Sequence, residues 1–280
     1  MTAIRSLFAH ILFGAALVVV QGHPGLAADK SIILASTTSV ESSGLLANIL
    51  PQFTAKTGIT VNVVAQGTGK ALDTARRGDA DLLLVHDPEA EQQFMDEGHG
   101  SVRRQIAWND FIIVGPSADP ARVRGGNDSV AAFKTIAAAQ APFVSRGDKS
   151  GTNAAELRLW KSAGQTPDAL AKEKWYREIG GGMGQALNAA SAMNAYTLSD
   201  RGTWLSFNNK GSLVIVIEGD TRLLNRYDVI ELNPQKHANA KLETAKVFAD
   251  WLVSPDGQQA IGAYQANGEK LFNPSAAAPR

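Results

Sequence analysis

The chain has 280 residues, 44% of them hydrophobic and 19% charged, with 27 Lys plus Arg against 27 Asp plus Glu. That balance argues against a polyanion binder held by bulk charge, which needs a positive field. Cysteine is absent, so disulfides and lipid attachment at a processed amino-terminal cysteine are excluded, and the fold must rest on its core.

The first 28 residues read as a secretion signal. Arg5 supplies the positive start, Ile11 to Val20 is apolar, and Gly25-Leu26-Ala27-Ala28 offers small residues for cleavage after Ala27 or Ala28. The apolar run falls short of the roughly 18–20 residues that a membrane span needs, so the expected product is a soluble exported protein. A strand is predicted over Ile32 to Ala35, then a helix over Gly44 to Lys56 with Leu45, Leu46, Ile49, Leu50 and Phe53 at helical spacing. Pro51 should kink that helix or start its second half, since it removes one backbone donor. Further strands are predicted at Thr60 to Ala65, Asp81 to Val85, Phe111 to Val114, Pro142 to Ser145, Leu213 to Ile217 and Val229 to Leu232. Two closing helices are predicted over Ala240 to Val253 and Asp256 to Ala266.

Strands alternating with helices indicate an α/β class with a largely parallel sheet. Composition shifts over Ser117 to Ser129 and again over Gly219 to Tyr227. We therefore expect one lobe from residues 29–115 and 227–280, and a second from 116–226, with crossings near Gly115 and Arg226.

Three strand-to-helix turns are rich in Ser, Thr and Gly: Ser36-Thr37-Thr38-Ser39, Gln66-Gly67-Thr68-Gly69, and Ser145-Arg146-Gly147-Asp148-Lys149-Ser150-Gly151-Thr152-Asn153. Such turns aim free backbone N–H groups outward from a helix start, where aligned peptide dipoles favour negative charge. In open α/β sheets they also lie at the edge where ligands bind. Ser and Thr are preferred N-caps without any ligand, so one such turn alone reads as capping. Three in one chain, one carrying the permanently charged fork of Arg146, point to an oxyanion site.

Serine-threonine-threonine-serine at 36 to 39 with Ser43-Gly44-Leu45-Leu46, Gly67-Thr68-Gly69 with Ala71-Leu72, Gly78-Asp79-Ala80-Asp81, and Val85-His86-Asp87-Pro88 form ordered blocks. They continue through Trp108 to Pro116, Ser145 to Thr152, Trp175-Tyr176, Gly182-Met183-Gly184, Tyr196-Thr197-Leu198 and Asp200-Arg201-Gly202-Thr203. Across nearly all of the mature chain this resembles the tungstate-binding proteins of ABC importers. The resemblance implies a two-lobed, type II-like periplasmic binding protein fold with an anion cleft between the lobes. It implies a periplasmic monomer that closes on tungstate, and also on molybdate, and delivers it to a membrane permease, with no nucleic acid partner, no cofactor and no catalysis.

Carried over by position, the anion contacts are Thr37, Thr38, Ser39, Thr68, Ser145, Arg146, Ser150, Gly151 and Thr152. No metal cation is expected, because tungsten is held only as its oxyanion. Ser36 stands where the family usually has a threonine, and Asn153 where it usually has a histidine. The first change keeps the hydroxyl; the second leaves the role of that side chain open.

A bare tetrahedral dianion offers only acceptors, so its pocket should hold donors. Asp148 is expected to brace Arg146 or cap the helix; alternatively it accepts the proton of hydrogen phosphate, in a receptor for phosphate or another oxyanion. A different class of reading, an exported enzyme acting on a phosphorylated or sulfated small molecule, would use Asp148 or His86 as its base. A sensor partner is a third reading. Gly67-Thr68-Gly69-Lys70 is not a nucleotide loop, since Ala71 replaces the magnesium-holding hydroxyl and Val64 the first glycine. His86, His99 and His237 are read as structural or surface residues, Trp160, Trp175, Trp204 and Trp251 as packing residues, and Gly180 to Gly184 as a hinge or a permease-facing loop.

Overall fold

The computed structural model describes residues 30–266 and 268–274; the signal-like stretch lies outside them. β1 (Ser31–Thr37) runs directly into the short helix α1 (Thr38–Ser42), and α2 (Leu45–Thr57) follows after Gly44, whose φ of 79° suits a residue without Cβ. α2 buries Leu45, Leu46, Ile49 and Phe53, the spacing of one helical face, and continues through Pro51 as a single element. Next come β2 (Thr60–Gln66), α3 (Thr68–Arg76), β3 (Leu82–Val85) and α4 (Pro88–Asp96). β1 pairs in parallel with both β2 and β3, which sends the turns after all three strands to one edge.

The 17-residue strand β4 (Gly100–Pro116) joins the two lobes. The second lobe then contains α5 (Ser129–Ala138), β5 (Phe143–Ser145), α6 (Gly151–Ser162), α7 (Pro167–Leu170), β6 (Tyr176–Glu178), α8 (Met183–Met193), β7 (Thr197–Asp200), α9 (Arg201–Ser206) and β8 (Leu213–Ile217). The chain returns through a 3-10 turn, Thr221–Leu223, into β9 (Leu224–Leu232), α10 (Leu242–Val253) and α11 (Pro255–Ala263). Three two-residue strands close the described chain: β10 (Gln265–Ala266), β11 (Glu269–Lys270) and β12 (Asn273–Pro274).

The expectation of a largely parallel sheet is corrected. β9 runs antiparallel to β3 and β4, and β4 runs antiparallel to β7 and β8, because both long connections return the chain beside a strand already laid down. β4 pairs with β9 through Asp110 and with β7 from Phe111 onward. The change of partner therefore falls between Asp110 and Phe111.

Each lobe has its own core. Phe53 packs against Phe248 and Trp251 at ring-centroid distances of 4.7 and 5.5 Å in the first. Phe133 and Phe143 pack around Trp160 at 4.3 and 5.0 Å in the second. All four tryptophans read as packing residues are buried. Among the described residues no helix is long and apolar enough to cross a membrane.

Candidate functional site

The first hydroxyl turn is closed by local geometry. Ser36 Oγ donates to the carbonyl of Leu84, 2.9 Å away, and fastens the end of β1 to β3. Thr37 caps α1 by accepting from the Val40 N–H at 3.2 Å. Its Oγ1 lies 3.0 Å from Ser39 Oγ, which lies 2.7 Å from His86 Nε2. His86 follows β3 and is buried. Its Nδ1 stands 2.9 Å from Asn225 Oδ1, and Asn225 Nδ2 donates to Asn109 Oδ1 and to the Tyr227 hydroxyl. Burial lowers the His86 pKa and outweighs the support of Asn225, Asp200 and Asp87; Arg146 lowers it further.

The second turn leaves a buried hydroxyl free. Thr68 is 2% exposed, and its Oγ1 has no hydrogen-bond partner. No side chain caps α3 at Gly67, so the first N–H groups of that helix remain available as donors. Gly67 faces the third turn: a Cβ there would lie 3.8 Å from the carbonyl oxygens of Asp148 and Lys149.

The third turn is an ordered loop around Arg146. The guanidinium donates through Nε and Nη2 to Asp148 Oδ2, at 3.2 and 2.5 Å, and through Nη1 to Thr152 Oγ1 at 3.3 Å. Each terminal nitrogen keeps a second N–H. Asp148 Oδ1 accepts from the Ser150 N–H, so this carboxylate both braces Arg146 and shapes the loop. Asn153 donates to Ser145 Oγ and accepts from the Lys149 N–H, which holds Lys149 at its φ of 58°. Ser150 caps α6 by accepting from the Asn153 N–H.

Ser145 donates its hydroxyl proton to Glu156 Oε2 at 2.7 Å and accepts from Asn153 Nδ2 and the Gly147 N–H. Glu156 is buried and also accepts from Trp160 Nε1 and the Tyr176 hydroxyl. Burial pushes its pKa up to about 7, although the three donors oppose the rise.

The first and third turns meet at a cavity of about 340 Å³ lined by Thr38, Ser39, Ser42, Arg146, Gly182, Met183, Gly184, Gln185, Asn188 and Thr203. Among these residues there is no carboxylate. Of the expected contacts, Thr38, Ser39 and Arg146 line the cavity directly. Thr37 and Thr152 each hydrogen-bond to one of those side chains. Thr68 is buried and unpaired, Ser150 and Gly151 form the start of α6, and the Ser145 proton is directed to Glu156.

Sequence reasoning missed two parts of this arrangement. The first is α8, whose N-terminus supplies Gly182, Met183 and Gly184 to the cavity wall, with the Gln185 side chain accepting from the Gly182 N–H. The second is the buried titratable Glu156 behind the third turn, together with the partners of His86, which the sequence offered only as a structural or surface residue or a candidate base. His86 follows a strand at the same edge as the hydroxyl turns, and Glu156 lies one helical turn beyond Thr152, so topology and helical period were the available signals. His99 Nδ1 and His237 Nε2 also meet, at 3.0 Å, despite their distance in sequence.

The PBP superfamily domain matches residues 23–256 of the chain. Tungstate-binding protein TupA of Peptoclostridium acidaminophilum is 46% identical over 254 residues, 89% of this chain and 87% of that protein. A putative ABC transporter anion-binding protein of Haloferax volcanii is 45% identical over 257 residues, 90% of this chain and 74% of that one. The solved structure of tungstate-binding protein TupA from Desulfovibrio alaskensis is similar with a TM-score of 0.77 at 43% identity, covering 88% of this chain and 99% of that one.

Proposed function

We propose that this chain, which belongs to the TupA family of tungstate-binding proteins within the PBP superfamily, captures tungstate as a bare dianion and delivers it to an ABC importer. The observation that carries this reading is the cavity itself, where hydroxyls of one lobe face Arg146 and the α8 N-terminus of the other without a carboxylate between them. Thr38, Ser39, Thr68 and Arg146 donate to the oxo groups, helped by backbone N–H groups at the starts of α3, α6 and α8. Thr37 and Thr152 orient those donors, and Ser145, Ser150 and Gly151 shape the loop that presents Arg146. Every contact is a hydrogen bond to oxygen, and none is a ligand of tungsten.

Charge-assisted hydrogen bonds contribute about 1.5–3 kcal/mol each. A handful supports nanomolar affinity, about 12 kcal/mol, after the ordering that closure requires. The closed lobes then form the surface that a permease recognises, a population shift driven by tighter binding to that form. Export through a cleaved signal places the monomer in the periplasm, and molybdate, with the same charge and shape, competes for the site.

The alternative of a hydrogen phosphate receptor would use Asp148 as proton acceptor. Its carboxylate is instead engaged by Arg146 and by the Ser150 N–H, which favours the unprotonated anion. Tryptophan fluorescence titrated with tungstate, molybdate, sulfate and phosphate tests the assignment. We expect saturable one-to-one responses to tungstate and molybdate at far lower concentration than to phosphate; equal or absent responses to all four would remove it.

A further inference from the structure

We propose that His86 is a positioning residue which takes up a proton when the anion binds, and thereby turns the Ser39 hydroxyl from the imidazole toward the ligand. This rests on the assignment of the cavity as a dianion site.

Asn225 Nδ2 donates to Asn109 Oδ1 at 2.8 Å and to the Tyr227 hydroxyl at 2.7 Å, so Asn225 Oδ1 is the atom that faces His86. His86 Nδ1 therefore carries hydrogen and donates to it. A neutral imidazole has one N–H, which leaves Nε2 as a bare acceptor 2.7 Å from Ser39 Oγ. Ser39 has a single proton and gives it to Nε2. Toward the cavity that it lines, Ser39 then presents a lone pair, and a dianion with four acceptor oxygens is repelled by it. One proton from solvent reverses the chain: the imidazolium donates Nε2–H to Ser39 Oγ, and the Ser39 O–H becomes a donor to the anion. The step is free protein plus dianion plus buffer acid giving the protonated complex and the buffer's conjugate base: an N–H bond forms at Nε2 as the acid's bond to that proton breaks.

Arg146 is the one cationic side chain in the cavity wall, and its charge is already paired with Asp148 at 2.5 Å. A bound dianion would leave two negative charges uncompensated unless a further cation appears nearby.

The groups around His86 permit that cation. Asp87 adjoins it in the chain, Asp200 at the end of β7 favours the charged ring, and Asp200 Oδ2 is buried without a partner. Asn225 and Tyr227 face it from β9, the Tyr227 ring 5.0 Å away. From the second lobe Gly151 lies against the ring and Arg146 opposes its charge. A dianion bound beside Arg146 offsets that opposition. The free protein thus holds His86 neutral, and the complex holds it protonated.

The test is titration calorimetry of the full mature chain with sodium tungstate, at one pH near 8, in two buffers of different ionisation enthalpy. We expect net proton uptake on tungstate binding, up to one proton per anion bound. Dissociation constants measured between about pH 7.5 and pH 9 should weaken by up to tenfold per pH unit. His86→Gln places an amide that can donate to Ser39 and cannot titrate; it should lose the proton uptake and flatten the pH profile. Tungstate binding without proton uptake in the unaltered protein, or uptake that persists in His86→Gln, overturns this inference alone. Failure to bind tungstate at all overturns the functional assignment instead.

Discussion

A Cβ on Gly151 would stand 2.7 Å from Cε1 and 3.0 Å from Nδ1 of His86, so the first residue of α6 is pressed against an imidazole of the opposite lobe. The contact requires glycine for space and not for backbone freedom, because Gly151 is not among the residues of positive φ. Gly151→Ala should therefore hinder closure more than folding. Overpacking of this kind costs about 1–3 kcal/mol, which is roughly a 5- to 150-fold loss of tungstate affinity. Calorimetry should show that loss without a comparable fall in the melting temperature of the ligand-free protein. Unchanged affinity would mean that His86 and Gly151 do not approach in the complex.

Thr68 separates stability from binding. Its buried hydroxyl has no hydrogen-bond partner among the described residues, and an unsatisfied buried polar group costs about 1–3 kcal/mol. Thr68→Val keeps the shape and removes the hydroxyl. We expect the ligand-free melting temperature to rise and tungstate affinity to fall about tenfold or more. A variant that gains stability with no loss of affinity would show that Thr68 does not touch the anion.

Glu156 should leave a signature in the pH dependence of stability. Its pKa rises from an ordinary 4.5 to about 7 in the folded protein through burial. Between those values the folded state binds more protons than the unfolded state, so this carboxyl makes stability fall as pH rises, by an amount of about 3 kcal/mol. His86 acts in the opposite sense. Its pKa is lowered from 6.5, so it contributes stability that is lost as pH falls from there through its folded value. Glu156→Gln removes only the first effect. Melting temperatures followed from pH 4.5 to about 7 should therefore slope upward with pH more steeply in the variant; parallel curves would place the proton elsewhere.

Much of the site was legible because its parts are local. Ser36 to Ser39, Gly67 to Gly69 and Ser145 to Asn153 each announce a strand giving way to a helix, and the parallel pairing of β1 with β2 and β3 carries two of these turns and His86 to one edge. The strand Leu213–Ile217 was also readable, since a run of branched apolar residues fits few other structures. What local pattern does not encode is which distant groups meet. The bond between Ser39 and His86 spans 47 positions, and that between His86 and Asn225 spans 139. The first half of β4 was missed because Ser101 to Gln105 alternates weakly, with Arg103 and Arg104 held by acidic partners instead of apolar contact. The Ser145 side chain reads as an anion donor until Glu156, eleven residues on, is seen to take its proton.

Arg158 of α6 reaches across the lobe boundary to Asp87, with Nη1 3.1 Å from Oδ1. Asp87 also caps α4 by accepting from the Ala90 N–H, so that helix keeps its cap when the arginine is removed. The effect of Arg158→Gln should accordingly fall on closure and not on folding. The arginine is partly exposed, with 34% of its side chain accessible, and such pairs contribute about 0–1 kcal/mol. We expect tungstate affinity to weaken by no more than about fivefold, an effect that added salt diminishes in the unaltered protein as the pair is screened. Stopped-flow fluorescence should show the change mainly as faster tungstate release, since a clasp made after the anion enters holds the closed form without guiding encounter. A loss of a hundredfold or more would instead place Arg158 in the anion site itself.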